Sequence, residues 1–301
     1  MSESIELLRS KIALAGTLGS VVRTMKTLAA VNIRQYEEAV RALGDYYHTI
    51  ELGLAGCLHL TENGRSAFRQ EKNRKMLTIA IIFGSDQGLV GQFNDLIADT
   101  LKREIATISG KIAVIPVGER VQTRLEDAGI RTDTLFALPN SVNAITPLVG
   151  DLLSEVERLR EKAAAIELRL FYNSPVSGEI YHPVSTRLLP LDEEWAKQVK
   201  GHIGSWPTRS KPEILNGVHR VQWALVREYL FVSLFRACAE SLAAESASRL
   251  SAMQRAEKNI DDMSEELTRL YNERRQAGID EELFDVVSGF QSLGDSANFK
   301  A

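Results

Sequence analysis

Both ends of this chain are long, free of proline and built on a heptad repeat of apolar residues. All eight prolines lie between Pro116 and Pro212, so 1–115 and 213–301 contain none. Because a proline inside a helix costs about 3 kcal/mol, proline-free ends of this length favour long helices. The 301 residues therefore predict three parts: an N-terminal helix over 1–60, a middle domain over 61–212 and a C-terminal helix over 213–301.

The N-terminal part carries one continuous apolar stripe. Alternating steps of three and four residues lead from Ile5 to Leu54, and only Gly19 and Lys26 interrupt the apolar positions. A spacing of 3.5 residues keeps one face of a helix turned towards a partner helix. The stripe therefore predicts the seam of a coiled coil.

The C-terminal part repeats this pattern from Val218 to Leu270. Two separate amphipathic helices packed on a core are the alternative, although helices of globular proteins rarely exceed about 25 residues. If the two parts pair, the middle domain joins their ends and they run antiparallel, with Leu54 near Val218. The C-terminal helix then projects beyond its partner. The projecting stretch is apolar at Leu283, Phe284, Val286, Val287 and Phe290, which predicts either that this end of the helix is frayed or that an external protein surrounds it.

The middle part alternates between strand-like and helix-like segments. Strands are predicted over 75–83, 111–117, 166–173 and 179–190, and helices over 93–106, 119–129 and 141–164, the last with Ser141 as its cap. Such alternation predicts a mostly parallel sheet covered by helices. The expected fold is an α/β middle domain, Rossmann-like, carried on a long antiparallel coiled coil of the N- and C-terminal helices.

A glycine-containing loop, "GSDQGLVGQFN", follows the first predicted strand at Gly84. A phosphate-binding P-loop needs a Lys-Ser or Lys-Thr pair after its last glycine, and the loop has none. The glycine spacings of four and three also differ from the dinucleotide fingerprint, and the Asp86 carboxylate would repel a phosphate. The glycines are therefore expected to allow tight turns and close packing of a helix on a strand.

No catalytic or metal-binding pattern is predicted elsewhere. The five histidines are scattered, no G-x-S-x-G elbow occurs, and Cys57 and Cys238 lack partners at a metal-ligand spacing. The net charge of −4 gives no reason to expect nucleic acid. The expectation is a cytosolic protein with no secretory signal, active site, cofactor, metal or small-molecule substrate.

Four segments, taken in order, resemble the gamma subunit of F-type ATP synthases. They are "RTMKTLAAVNIR" at 23–34, the glycine loop at 84–94, "ESLAAESASRLSAM" at 240–253 and "ELTRLYNERRQAGI" at 266–279. The resemblance extends over essentially the whole chain. It implies a central rotor shaft that couples ion-driven rotation of a membrane ring to the catalytic sites of the beta subunits.

The same resemblance implies the partners and the location. The projecting C-terminal helix would enter the hexamer of alpha and beta subunits, and the foot would contact an epsilon-type subunit and the membrane ring of c-type subunits. The chain would be a peripheral, non-catalytic subunit at the cytoplasmic face of the inner (plasma) membrane.

The resemblance also implies two sets of site residues. The rotor–stator contacts would be Arg23, Met25, Lys26, Glu245, Arg249, Arg275 and Gln276. The loop motif of the family would be Gly84, Asp86, Gly88, Gly91 and Asn94. Residues 7–36 contain five basic and no acidic side chains, which suits either a solvated helix face or contact with an acidic segment of beta. Met25 equally suits seam packing.

Three positions depart from the family pattern. Val90 replaces the usual cysteine, Gln92 replaces a glycine, and Asp280 stands where threonine is common. The departures leave open a sodium-translocating N-type ATPase. A non-rotary coiled-coil assembly protein would explain the helices alone, and a Rossmann-like enzyme the middle domain alone.

Overall fold

The computed structural model describes residues 4–60, 76–108, 110–176, 178–191, 195, 213–215 and 217–298. For 58–60 and 288–298 the description covers the backbone alone. The predicted domain boundaries near 61 and 212 lie at or outside the edges of these ranges. The elements in chain order are α1 Ile5–Leu60, β1 Met76–Phe83, α2 Phe93–Ile105, β2 Lys111–Val117, α3 Glu119–Asp127, a 3-10 turn Val142–Ala144, α4 Ile145–Arg160, β3 Ala165–Val176, β4 Glu179–Leu189 and α5 Val218–Asn298.

The chain forms two compact units. The first contains residues 1–28 and 251–301, and the second contains residues 29–250. Helices α1 and α5 each contribute residues to both units. The predicted long terminal helices and the alternation of strands and helices between them are confirmed.

A four-stranded sheet forms the centre of the second unit, in the order β2-β1-β3-β4. Strand β1 pairs in parallel with β2 and β3, whereas β4 pairs antiparallel with β3. The prediction of a mostly parallel sheet is therefore confirmed. Parallel neighbours of this kind need both faces covered, which matches the continuous apolar run of β1.

Different helices cover the two faces of the sheet. Ile79, Ile81 and Phe83 of β1 lie in one cluster with buried residues of α4 and of α5. Ala80 and Ile82, which point to the other face, lie in a cluster with α2 and α3. The alternation of side chains along a strand sends the two sets to opposite faces.

Helix α5 is buried all round in its middle. Each of the ten residues 237–246 is buried, and seven of them are Ala, Ser or Cys. Small side chains allow a helix backbone to approach neighbours on several sides at once. This segment packs on the sheet through one face and near Tyr36 of α1, which belongs to the same cluster.

The ends of α1 and α5 within the second unit contact each other. The Tyr46 hydroxyl donates to Glu228 at 2.9 Å, and the rings of Tyr47 and Tyr229 lie 5.9 Å apart. A Cβ added at Gly53 would lie 3.1 Å from Leu225. The prediction that Val218 lies near Leu54 is therefore wrong by about one heptad. Helix α1 continues to Leu60, so the two helices do not end level at Leu54.

In the first unit the predicted α1 stripe marks the less exposed face of the helix. Leu8, Ala15 and Gly19 are buried, and Ile12 and Val22 are half-buried. The exception is Ile5 at the helix start, which is 39% exposed. Lys26 forms an ion pair with Glu257 of α5, and a Cβ added at Gly19 would lie 3.5 Å from Ile260.

Ser141 does not cap α4 as predicted. It stands before the 3-10 turn, where its backbone carbonyl accepts from the Ala144 N–H at 3.1 Å, and its side chain makes no capping hydrogen bond. The 3-10 turn pairs the first backbone N–H groups of this segment with backbone carbonyls, so the Ser141 hydroxyl is not needed as their acceptor.

Candidate functional site

The predicted site residues fall into two groups. Gly84, Asp86, Gly88, Gly91, Asn94, Glu245 and Arg249 belong to the second unit, whereas Arg23, Met25, Lys26, Arg275 and Gln276 belong to the first.

Gly84 stands at the end of β1, where a helix approaches the strand closely. Its N–H donates to the Val117 carbonyl at 2.9 Å. A Cβ added at Gly84 would lie 2.2 Å from Val121 Cβ and 2.8 Å from Asn94 Oδ1. No side chain fits at that distance, so the predicted role in helix-on-strand packing is confirmed at this glycine.

The carboxylate of Asp86 organises two neighbouring loops. Its Oδ1 accepts from the N–H of Glu119, the first residue of α3, and its Oδ2 accepts from the N–H of Leu138, both at 3.0 Å. A carboxylate at a helix N-terminus is stabilised by the unpaired N–H groups there. Both oxygens are thus used to join β1 to the segments that follow β2.

Asn94 closes the loop from its other end. Its Oδ1 accepts from the Ser85 N–H at 3.0 Å and its Nδ2 donates to the Ser85 hydroxyl at 2.8 Å. The Ser85 hydroxyl in turn donates to the Gln87 carbonyl at 2.9 Å. The first turn of α2 is therefore held against the start of the loop.

The other two glycines of the loop, Gly91 and Gly88, differ in whether their backbone conformation and surroundings require glycine. Gly91 has φ of +58°, a region that glycine adopts without steric cost. Gly88 lies outside that region, and the nearest atom to an added Cβ would be 4.0 Å away. Leu89 has φ of +63° instead, with 61% of its surface exposed. The expectation of a glycine-specific turn is met at Gly91 and not at Gly88.

The second half of the loop packs on α5. Val90 and Phe93 form a buried cluster with Ala244, and Tyr181 of β4 packs against it. The Ser248 hydroxyl donates to the Val90 carbonyl at 2.5 Å. Ala244 and Ser248 are not among the predicted site residues, although the spacing of these small side chains by four residues inside the segment 240–253 was a usable signal.

Glu245 and Arg249 form an ion pair inside the second unit. Arg249 NH2 donates to Glu245 Oε1 at 2.5 Å, and Glu245 is 6% exposed. Burial raises the pKa of Glu245, Arg249 opposes this rise, and Asp86 adds to it. Burial is the main cause of the raised pKa of Tyr36 in α1. The charges of Glu245 and Arg249 also affect this pKa, because Tyr36 lies near the ion pair. A residue as buried as Glu245 offers almost no surface to another subunit, so its position favours an internal role over the expected rotor–stator contact.

The residues of the first unit are more accessible. Arg23, Arg275 and Gln276 are exposed, and Met25 and Lys26 are half-buried. Lys26, which interrupts the α1 stripe, is paired with Glu257, and this ion pair compensates for a charge at a seam position.

The last described side chains of α5 include an exposed apolar face. Ile279, Leu283, Val286 and Val287 recur at the i, i+4, i+7 and i+8 positions of one helix face, and Phe284 lies at its edge. Their exposed fractions are 54%, 62%, 59%, 45% and 71% respectively. The side chain of Phe290, predicted to continue this face, lies outside the described residues.

Within the described ranges, no group of three or more His, Cys, Asp or Glu side chains is arranged to hold a metal ion. None of the described helices has a segment apolar and long enough to cross a membrane.

The fold thus defines a class of protein in which an α/β domain lies in the chain between two very long terminal helices. The sequence model of the family described as ATP synthase matches residues 4–293, and the chain belongs to this family. The expected resemblance to the gamma subunit is confirmed by the relatives that follow. Neither the N-type ATPase nor the non-rotary assembly protein is favoured by the matches.

One relative is the ATP synthase gamma chain of Legionella pneumophila (strain Paris), which is 26% identical over 293 residues, or 95% of this chain and 98% of that protein. A chain of the Tetrahymena thermophila mitochondrial ATP synthase central stalk and c-ring has a TM-score of 0.58 at 19% identity, covering 78% of this chain and 99% of that one. A chain of the Euglena gracilis mitochondrial ATP synthase, in a structure of OSCP, F1 and c-ring, has a TM-score of 0.59 at 15% identity, covering 96% and 94%. These two structures share the fold of this chain.

Gly84→Ala is expected to lower the free energy of unfolding by roughly 3 kcal/mol, because the added methyl group overlaps Val121 and strand and helix must separate. The control is Gly150→Ala in α4, where no atom lies within 4 Å of the added Cβ. That change is expected to raise stability by up to about 1 kcal/mol, from helix propensity. Urea unfolding of the purified chain measures both, and equal effects would contradict the close-packing role of Gly84.

Glu245→Gln is expected to change how stability depends on pH. Because the pKa of Glu245 is higher in the folded chain than its ordinary value of 4.5, the folded state binds this proton more tightly. The stability of the wild type relative to Glu245→Gln should therefore fall as the pH rises from about 4.5 towards the folded pKa.

Glu155→Gln provides the comparison of opposite sign. A hydrogen bond from Arg158 lowers the pKa of Glu155, so its contribution is present above the ordinary value and is lost as the pH falls through the folded pKa. Urea midpoints measured at a series of pH values below and above the ordinary carboxyl value of 4.5 separate the two variants. Parallel pH profiles for both would contradict the assignment.

Proposed function

We propose that this chain is the central rotor shaft of an ATP synthase, coupling rotation of a membrane-embedded ring to the catalytic sites of a surrounding head. The observation that carries the proposal is the exposed apolar face of α5 at Ile279–Val287 in a chain that belongs to the ATP synthase family. A face of this kind at the end of a long helix requires a protein sleeve in the assembled state. The partners named for the related structures, F1 and the c-ring, are proposed as the partners of this chain.

The shaft itself is proposed to be an antiparallel coiled coil of α1 and α5. In the first unit, Gly19 neighbours Ile260 and the later residue Lys26 neighbours the earlier Glu257. In the second unit the order is the same, with Tyr46 beside Glu228 and Gly53 beside Leu225. In each unit the number of the α5 partner decreases as the α1 number increases, which is the behaviour of antiparallel helices.

A second surface for the head is proposed on α1. Leu14, Leu18, Val21 and Leu28 are 59%, 44%, 52% and 58% exposed, and together with half-buried Met25 they recur at steps of four, three, four and three residues. This stripe lies about 100° around the helix from the seam positions, so it is available to a partner other than α5. Residues 7–36 of α1, which include this stripe, contain five basic and no acidic side chains, and Glu257 of α5 pairs with Lys26. The basic α1 surface suits an acidic partner segment.

Among the predicted rotor–stator contacts, Arg23, Met25, Arg275 and Gln276 are proposed to touch the head. Lys26 is proposed to act within the coil through Glu257, and Glu245 and Arg249 within the second unit. The chain is further proposed to bind an epsilon-type subunit and to lie, as a peripheral subunit, at the cytoplasmic face of the inner membrane. The catalytic sites belong to the beta subunits in this proposal.

Reversal of one charge tests the coiled coil. Lys26→Glu places two carboxylates at one partly buried site and is expected to lower the free energy of unfolding by about 1–2 kcal/mol. The exchange Lys26→Glu/Glu257→Lys should recover most of this loss. The control is Arg34→Glu, whose partner Glu38 lies on the same helix and is 56% exposed; its effect should stay within about 0.5 kcal/mol. Thermal unfolding measures all three, and a double variant no better than the single one would count against the pairing.

Reconstitution with the cognate alpha and beta subunits tests the function. The wild-type chain is expected to form a stable complex that hydrolyses ATP, and removal of 279–301 should weaken it. The finer variant is Leu283→Ser/Phe284→Ser, which reduces the apolar area available to the sleeve by roughly 200 Å² and should lower affinity at least tenfold. Its control is Leu215→Ser, at a leucine that is 86% exposed. If the chain neither binds those subunits nor alters their ATPase, the shaft proposal is wrong.

A further inference from the structure

We propose that the glycine loop and one ridge of α5 form a rigid, torque-transmitting joint that makes the α/β domain turn together with the shaft helix. The inference rests on the proposed rotor function and assigns a mechanical role to the family loop motif. The ridge consists of Arg236, Glu240, Ala244 and Ser248, which follow each other at four-residue steps along α5. All parts of the joint lie in the second unit.

The first half of the ridge is polar and binds the β3–β4 hairpin. Arg236 Nε donates to Glu240 Oε1 at 2.6 Å, which holds the Glu240 carboxylate in one orientation. The Ser174 hydroxyl of β3 donates to the other oxygen, Oε2, at 2.8 Å. Glu240 is 8% exposed, whereas the Arg236 side chain is 52% exposed. The hydrogen bond from Ser174 to the shielded carboxylate is therefore the more costly of the two to break.

The second half of the ridge is made of small residues and binds the glycine loop. Ala244 is fully buried against Val90 and Phe93, and Ser248 donates to the Val90 carbonyl at 2.5 Å. A Cβ added at Gly91 would lie only 3.8 Å from the Ser248 hydroxyl oxygen. A larger side chain at either ridge position would push the loop backbone away from the helix.

The loop is also supported by strands β3 and β4. The ring of Tyr181 packs edge-to-face on Phe93 with centroids 5.3 Å apart, and Asn173 Nδ2 donates to the Phe93 carbonyl at 3.0 Å. Gly84, Asp86 and Asn94 tie the same loop to β1, to the segments after β2 and to α2. A force on α5 at this ridge is therefore passed to the whole sheet.

The polar contacts give the joint a single position. Apolar surfaces resist separation but permit sliding, whereas hydrogen bonds to two ridge residues eight positions apart resist both translation and rotation of the helix. Ridge and loop thereby form the kind of contact that torque transfer between a domain and a shaft requires.

The test uses the full complex with its membrane sector, reconstituted in lipid vesicles. Ser174→Ala/Ser248→Ala removes the two hydroxyl donors that connect the α/β domain with α5, at almost constant volume. We expect the membrane potential generated per ATP hydrolysed, followed with a voltage-sensitive dye, to fall at least twofold while ATP hydrolysis stays within twofold of wild type. The control, Ser154→Ala, removes a hydroxyl bond inside α4 alone and should leave the ratio unchanged.

A reversible cross-link provides the second arm. Gly91→Cys/Ser248→Cys introduces two thiols at a spacing that a disulfide can bridge after a small shift, and the native Cys57 and Cys238 are buried. The change at residue 248 removes the hydroxyl that donates to the Val90 carbonyl, and the disulfide replaces this bond by a covalent one. Because a joint does not move during turnover, the oxidised complex should pump at least as well as the reduced one. Pumping that stops on oxidation and returns on reduction would overturn the joint, as would an unchanged ratio in the double serine variant. A wild-type chain that neither assembles nor pumps overturns the proposed function and the joint together.

Discussion

The close approach of small residues in the middle of α5 is the contact on which the rest of the second unit depends. From residue 237 to 246 every position is buried, and the side chains are mostly Ala, Ser and Cys. One face of this segment joins the core beneath the sheet, and another meets the glycine loop through Ala244. A helix with large side chains here would have room for one neighbour, whereas this helix has several. This segment of α5 and the α/β domain belong to one compact unit because the small side chains of α5 let its backbone approach its neighbours here.

The glycine loop resembles a phosphate site in its order of strand, loop and helix, but its polar atoms are directed inward. Asp86 uses both carboxylate oxygens for backbone N–H groups, and Asn94 uses its amide for Ser85. Gly84 allows the approach of Val121 to the strand end. The same sequence devices that cradle a phosphate elsewhere therefore serve to fasten secondary-structure elements to one another. This explains why an acidic residue is tolerated at the centre of the loop.

Charge has a different role in the two units. In the first, Lys26 and Glu257 pair at a partly exposed seam position, where an ion pair contributes more to register than to stability. In the second, Glu245 and Arg249 pair almost out of contact with solvent, and burial raises the pKa of the acid. The exposed apolar faces at Leu14–Leu28 and Ile279–Val287 are among the surfaces that we propose for partners, together with exposed charged residues such as Arg23 and Arg275.

The sequence by itself determined the long helices, the four strands to within a few residues, their mostly parallel pairing and the two heptad stripes, because these follow from local periodicity and the absence of proline. It also predicted the packing role of Gly84. The register of α1 against α5 was decided only by the tertiary structure, since a heptad repeat is compatible with shifts of seven residues and the predicted neighbour of Leu54 was wrong by about one such shift. The same holds for Glu245 and Arg249, which a motif identifies without indicating whether they face solvent or core. Their burial depends on the loop, on α1 and on the sheet converging at one point, and no periodicity within a single segment contains that information.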